Sequence, residues 1–271
     1  MSSPQNQDLV FHNDGSLTSD SVLNSSDSYL SIISHTQGTS PAWLLNSLIE
    51  NALIGTASLV NTDLKKTIKR SHVYVISFLH SEDFFISNCK RNGLDLSSVP
   101  NFTFIDCFTN LFSDISTPQN ASEQVKKLFD SKILPQIKQD QKNVILVEFP
   151  EFLLSSTSIT SNELLGHLSK VNKACQQMYT VVSQDSQVVD LSASNPLDPV
   201  YKTTDFLVKL YHRSFININL KPLPTGRAKD ITGCLTISRG THPYNVGSLV
   251  VTEREYIYLV TKEGSVKLFF R

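Results

Sequence analysis

The chain has 271 residues with 24 Lys and Arg against 25 Asp and Glu, a net charge of −1. That length suits one large α/β domain, and that balance excludes a globally basic nucleic-acid binder. Its ten glycines stand no closer than seven residues apart and none precedes a lysine, so GxGxxG, GxxxxGK and GxSxG motifs cannot occur.

The N-terminal stretch SSPQNQDLVFHND has neither a basic nor an apolar leader, and no 18-residue apolar run follows anywhere. The expectation is a protein that is neither secreted nor membrane-spanning. Cys89, Cys107, Cys175 and Cys234 are too dispersed for a CxxC pair and read as reduced thiols of a cytoplasmic or nuclear protein. Residues 1–28 read as a flexible polar segment, with Leu9-Val10-Phe11 as a short edge-strand candidate. Residues 29–271 read as a single domain.

From Tyr29 onward, short apolar runs alternate with segments of helical period. The order is strand 29–34, helix 41–53, strand 72–79, a helix from Glu82, strand 102–108, helix 121–138, strand 143–149, helix 162–178 and strand 179–183. Runs such as VILV are apolar on both parities, as expected for parallel strands covered on each face, which predicts a doubly wound, mainly parallel α/β sheet. After a helix at 202–213, strands at 215–220, 231–238, 248–252, 255–260 and 265–270 follow without intervening helices. These predict a C-terminal antiparallel extension. The charge is uneven along this plan: residues 1–200 carry 13 basic and 20 acidic side chains, residues 201–271 carry 11 and 5.

In an α/β NTPase the first strand delivers the chain to a phosphate-wrapping loop at a helix N-terminus. Here that position holds Gln37, Gly38, Thr39 and Ser40, with Ser40 as the expected helix cap, and no lysine follows. Without that cation the loop is read as non-catalytic. Glu148 stands where a Walker B carboxylate would, at the carboxyl end of an apolar strand. The seven histidines are never four apart, which removes HExxH and any metal motif built on it, and His80 reads as a lone surface histidine. The densest cationic turn, Lys221 to Gly233, carries Arg227 and Lys229 behind two prolines, which suits a solvated hairpin connection or a loop reaching to a neighbour. The basic run 65–70 reads as a solvated loop with a weak nuclear-targeting alternative.

The blocks SIISHTQGTSPAWLLNSLIENAL, SFLHSEDFF, VILVEFPEFLL and FININLKPLPTGRAKDITGCLTISRG, with the terminal KLFFR, resemble the sixth subunits of the fungal Elongator complex over nearly the whole chain. The resemblance implies a RecA-like fold without working Walker motifs. It also implies a heterohexameric ring shared with two related RecA-like subunits, four and five, attached to the catalytic Elongator subcomplex and binding tRNA whose wobble uridine is modified. No cofactor is expected on this chain alone, with ATP possible at subunit interfaces. By analogy with RecA-like rings, Arg227 and Lys229 are candidates to act in trans or to face RNA. The rival readings are a nucleotide-hydrolysing subunit that uses Gln37, Thr39 and Glu148, and a scaffold that touches no RNA.

Overall fold

A computed structural model describes residues 6–68, 70–111, 120–185, 187, 189–226, 228, 230–242 and 249–271. A short helix α1 (Asp20–Leu23) precedes β1 (Tyr29–His35), α2 (Ala42–Ile54), β2 (His72–Ser77), α3 (Glu82–Arg91) and β3 (Phe102–Asp106). Then come α4 (Ala121–Lys127), β4 (Asn143–Glu148), α5 (Phe152–Ser156), α6 (Ser161–Asn172), β5 (Gln177–Ser183) and α7 (Pro199–Tyr211). The chain ends in β6 (Ile216–Lys221), β7 (Gly233–Arg239), β8 (Arg254–Val260) and β9 (Val266–Phe270).

The nine strands form one sheet in the order β3-β2-β4-β5-β1-β6-β7-β8-β9. Pairing is parallel from β3 to β6 and antiparallel from β6 to β9. This is the expected α/β architecture, consistent with a RecA-like fold. Every residue of β4, NVILVE, is buried, because helices cover both faces. In β6 burial alternates along ININLK, so that strand already serves a one-sided part of the sheet. Two apolar clusters follow, one on each face, with Leu44, Leu48 and Ile218 in the first and Ile32, Ile145 and Leu164 in the second.

Local chemistry sets the element ends. Thr160 caps α6, accepting from the Glu163 amide while the Glu163 carboxylate accepts from the Thr160 amide, a reciprocal capping box. α2 stops at Gly55, whose φ of +85° and contact with the Lys65 carbonyl, 2.7 Å from where a Cβ would lie, leave no room for a side chain. The single helix expected over 121–138 is instead α4 followed by a wide π-type turn at Leu128–Ile133 and a 3₁₀ turn at Leu134–Gln136. Pro135 accounts for this, since it lacks an N–H and its ring crowds the carbonyl four residues back.

The polar N-terminal segment is packed rather than free. Leu9, Phe11 and Leu17 are wholly buried in the core cluster beside α2. The Leu9 amide donates to the Val60 carbonyl at 2.7 Å, and Thr18 Oγ1 lies 2.8 Å from the Tyr179 hydroxyl. The Arg70 guanidinium, with only 9% of its side chain exposed, bonds to Asp20, to Asn51 and to the Thr18 carbonyl. Five buried apolar residues, Leu9, Phe11, Leu17, Val22 and Leu23, suffice to anchor a segment whose composition is otherwise that of a linker. The strand expected at 248–252 is corrected too. Its described residues make one bridge, Val251 to His12, and the Thr252 amide donates to Phe11 at 2.8 Å, so they pair with the N-terminal segment outside the sheet.

Candidate functional site at the carboxyl ends of the strands

The turn after β1 places Gln37, Gly38, Thr39 and Ser40 at the N-terminus of α2, as the sequence predicts for a nucleotide loop. Gly38 has φ +90° with open space around it, so the left-handed backbone alone requires glycine there. Two of the loop's amides are already bonded to protein acceptors. The Gln37 amide donates to Asp185 Oδ1 at 2.5 Å, and Ser183 Oγ donates to the other Asp185 oxygen at 2.9 Å. The Thr39 amide and hydroxyl both donate to the Thr36 carbonyl, at 3.1 and 2.7 Å. The helix cap is Pro41 rather than Ser40, although Ser40 Oγ still accepts from the Ala42 amide at 3.3 Å. An amide that would cradle a phosphate oxygen therefore already holds a carboxylate.

Glu148 ends β4 as expected and is 2% exposed. Ser77 Oγ, at the end of β2, donates to Oε2 at 2.5 Å, and His80 Nδ1 lies 2.9 Å from Oε1. Ser77 Oγ in turn accepts the Leu79 and His80 amides at 3.2 and 2.8 Å. The His80 ring stacks on Phe84 with centroids 3.8 Å apart and planes 7° from parallel. His80 is thus no lone surface histidine: one third of its side chain is exposed and the rest is fixed by Glu148 and Phe84. Both carboxylate oxygens of Glu148 are committed to protein partners, the opposite of a carboxylate held ready for a metal-bound water.

One more acid and a second histidine complete this edge. Glu151 is 4% exposed and accepts the Ser183 amide at 2.8 Å through Oε1, while Oε2 is buried with no hydrogen-bond partner. Burial pushes its carboxyl up to about 8, with the Glu148 charge adding in the same direction. His35 ends β1 with its ring edge-on to Phe149 at 5.3 Å. Burial lowers its pKa, against an opposing pull from Asp185 and Glu148. Phe149 itself has φ +54°, the left-handed region that a bulky residue enters only under constraint. Its amide is tied to the Val181 carbonyl at 2.9 Å.

A cavity of about 190 Å³ lies among His35, Thr39, Ser40, His80, Glu148 and Phe149. Among the described residues no lysine or arginine lines it. Among those residues, too, no group of three or more His, Cys, Asp or Glu side chains is arranged to hold a metal ion. Arg227 and Lys229, the candidate trans-acting or RNA-facing cations, lie outside the described residues; the turn before them is closed by the Gly226 amide donating to Leu223 at 3.0 Å. Thr39 and Ser40 of the loop line the same cavity as Glu148, and Ser77, His80, Asp185 and Glu151 stand at the same edge of the sheet. The available signal for these four was their place at or just past a strand end, the edge where open α/β sheets bind ligands.

No family model matches the chain. It is 31% identical to Elongator complex protein 6 of Saccharomyces cerevisiae over 291 aligned positions that span the whole of both chains. It is 25% identical to the Elongator complex protein 6 homolog of Schizosaccharomyces pombe over 194 positions, covering 70% of this chain and 76% of that one. With likeness at that level from end to end, the chain belongs to the Elongator complex protein 6 family.

Proposed function

We propose that this chain is a non-catalytic RecA-like subunit of the Elongator complex. In this reading it joins two related subunits, four and five, in a heterohexameric ring that binds tRNA and supports wobble uridine modification by the catalytic subcomplex. The ring works in the cytoplasm, with a nuclear pool as an option. Membership follows from the full-length likeness to the relative named Elongator complex protein 6. The observation that carries the non-catalytic part is the Asp185 carboxylate on the Gln37 amide, at the point where a working loop would meet phosphate.

Phosphoryl transfer depends on cations placed around the transferring group. Here the Glu148 and Asp185 carboxylates stand at the strand ends, Glu151 beside them is held protonated by burial, and the loop brings no lysine. A triphosphate entering this edge would meet like charge. Any nucleotide of the ring would therefore be held chiefly by the neighbouring subunits, with Arg227 and Lys229 as this chain's candidate contribution across an interface.

The test has two arms. The isolated chain should hydrolyse ATP no faster than buffer, and Glu148→Ala should change nothing; steady turnover abolished by that substitution would refute the reading. Co-expressed with subunits four and five, the chain should elute in a single ring-sized species that crosslinks to tRNA. A ring that gives RNA adducts only on the other two subunits would reduce this chain to a scaffold.

A further inference from the structure

At the opposite end of the sheet lies a cavity of about 310 Å³, lined by residues from β1, the ends of α6 and α7, β5 and His242. Its floor is aliphatic: Leu30, Leu165, Leu168, Met178 and Leu210 are each at most 7% exposed. Its rim carries Lys173, Arg213 and His242, with Ser28, Ser169 and Asn172 between them, and among the described residues no carboxylate lines it. The volume stands at the low end of the about 300–1,000 Å³ usual for small-ligand sites.

Charge distinguishes this cavity from a mere surface dimple. Lys173 and Arg213 are both exposed and, among the described residues, neither makes an ion pair. Cations commonly follow helix C-termini because each helix end carries about half a negative charge. Two such ends, of α6 and α7, converge here, and together they balance about one cation. The second cation is surplus. Arg213 is held in place as well, its Nη1 donating to Ser169 Oγ at 3.2 Å. Beside it Asn172 Oδ1 is buried with no hydrogen-bond partner, an acceptor that requires a donor.

We infer that this cavity is a binding site for a nucleoside monophosphate unit. The phosphate sits on Arg213 and Lys173, the base lies over the aliphatic floor, and a base amino or ribose hydroxyl group donates to Asn172. A guanidinium and an ammonium together match a phosphate better than a lone carboxylate, and the floor accepts a flat apolar face. The unit arrives either as a free nucleotide or as one residue of a single strand. The site stands apart from the loop end of the sheet and does not rest on the Elongator reading.

The experiment titrates the full chain with adenosine 5′-monophosphate, adenosine and inorganic phosphate by ligand-observed NMR, and repeats the series with Arg213→Glu and Lys173→Glu. Both residues are exposed, so the variants should fold, which their melting curves verify. The nucleotide should bind more tightly than adenosine or phosphate, and each charge reversal should weaken it about tenfold or more. Lys90→Glu, an equally exposed charge reversal on α3 outside the cavity, should leave binding unchanged. Competition with a short oligoadenylate identifies the source: displacement at equal or lower concentration assigns a strand, and failure to displace assigns the free nucleotide. The inference is overturned if the nucleotide does not bind, if it binds no better than phosphate, or if the Arg213 and Lys173 reversals weaken it no more than Lys90→Glu does.

Discussion

The two ends of the parallel sheet have opposite electrostatics. At the carboxyl ends of the strands, Glu148, Glu151 and Asp185 face inward and accept from Ser77, Ser183 and Gln37. At the amino ends, Arg70 gathers the N-terminal segment, and Lys173 and Arg213 rim an open cavity. Open α/β sheets ordinarily bind ligands outside the carboxyl ends. Here Glu148, Asp185 and the Gln37 amide are turned on neighbouring protein groups, while Glu151 Oε2 and both His35 ring nitrogens are buried without a partner. In the proposed reading the missing lysine is only half of what keeps the loop non-catalytic; the other half is that the Asp185 carboxylate and the Thr36 carbonyl already hold the Gln37 and Thr39 amides.

The sharpest way to break the comparison is at Glu148. Glu148→Ala leaves the Ser77 hydroxyl and His80 without their shared acceptor in a buried setting, and should cost about 3 kcal/mol in urea unfolding. Glu148→Gln keeps an acceptor oxygen and should cost less than half of that. Equal losses for the two would mean that volume, not hydrogen bonding, holds the edge together.

At the other end, Arg70→Ala removes a nearly buried guanidinium from Asp20, Asn51 and Thr18 at once, for a cost of about 2 kcal/mol. The effect should be local in kind, with limited proteolysis cutting within residues 6–24 of the variant well before any core site. Unchanged protection of that segment would show that Leu9, Phe11 and Leu17 hold it unaided.

Titration separates the ends again. Glu151 has a folded pKa of about 8, above its unfolded value, so its contribution is fully present below about pH 4.3 and is lost as pH rises toward 8. The slope approaches about 1.4 kcal/mol per pH unit inside that window. Glu151→Gln should remove this slope and leave the variant relatively more stable at pH 8. His12, lowered by burial to about 4, acts with the opposite sign: its contribution is present above about pH 6.5 and lost as pH falls through 4. His12→Gln should therefore flatten the acid limb alone. A Glu151→Gln profile parallel to wild type between pH 5 and 8 would place the raised titration elsewhere.

The architecture was legible because strands such as NVILVE, apolar on both parities, leave parallel pairing as the economical solution, and ININLK announces the one-sided region by its alternation. Gln37 to Ser40 and Glu148 were legible as positions, by their place after a strand. Their partners were not, since the contact between Gln37 and Asp185 spans 148 residues and that between Ser77 and Glu148 spans 71, set by strand order rather than by local pattern. The N-terminal segment misled because a high density of Ser, Asp and Asn outweighs a few apolar residues in any composition window. Leu9, Phe11 and Leu17 nonetheless bury completely, because the groove beside α2 offers each of them a place.

The smallest effect expected is the most informative about the loop. Asp185→Ala frees the Gln37 amide and the Ser183 hydroxyl, removing two charge-assisted hydrogen bonds from a partly exposed site where water replaces them, so its stability cost should be about 1 kcal/mol. Exchange of the Gln37 amide proton should quicken, since its acceptor is gone. If the missing cation is what disables the loop, nucleotide affinity should rise by no more than about fivefold, the gain a helix N-terminus gives an anion unaided. A much larger gain would reverse the emphasis: the carboxylate would then act as a plug in an otherwise competent site, and the acid-filled edge would be a gate rather than a relic.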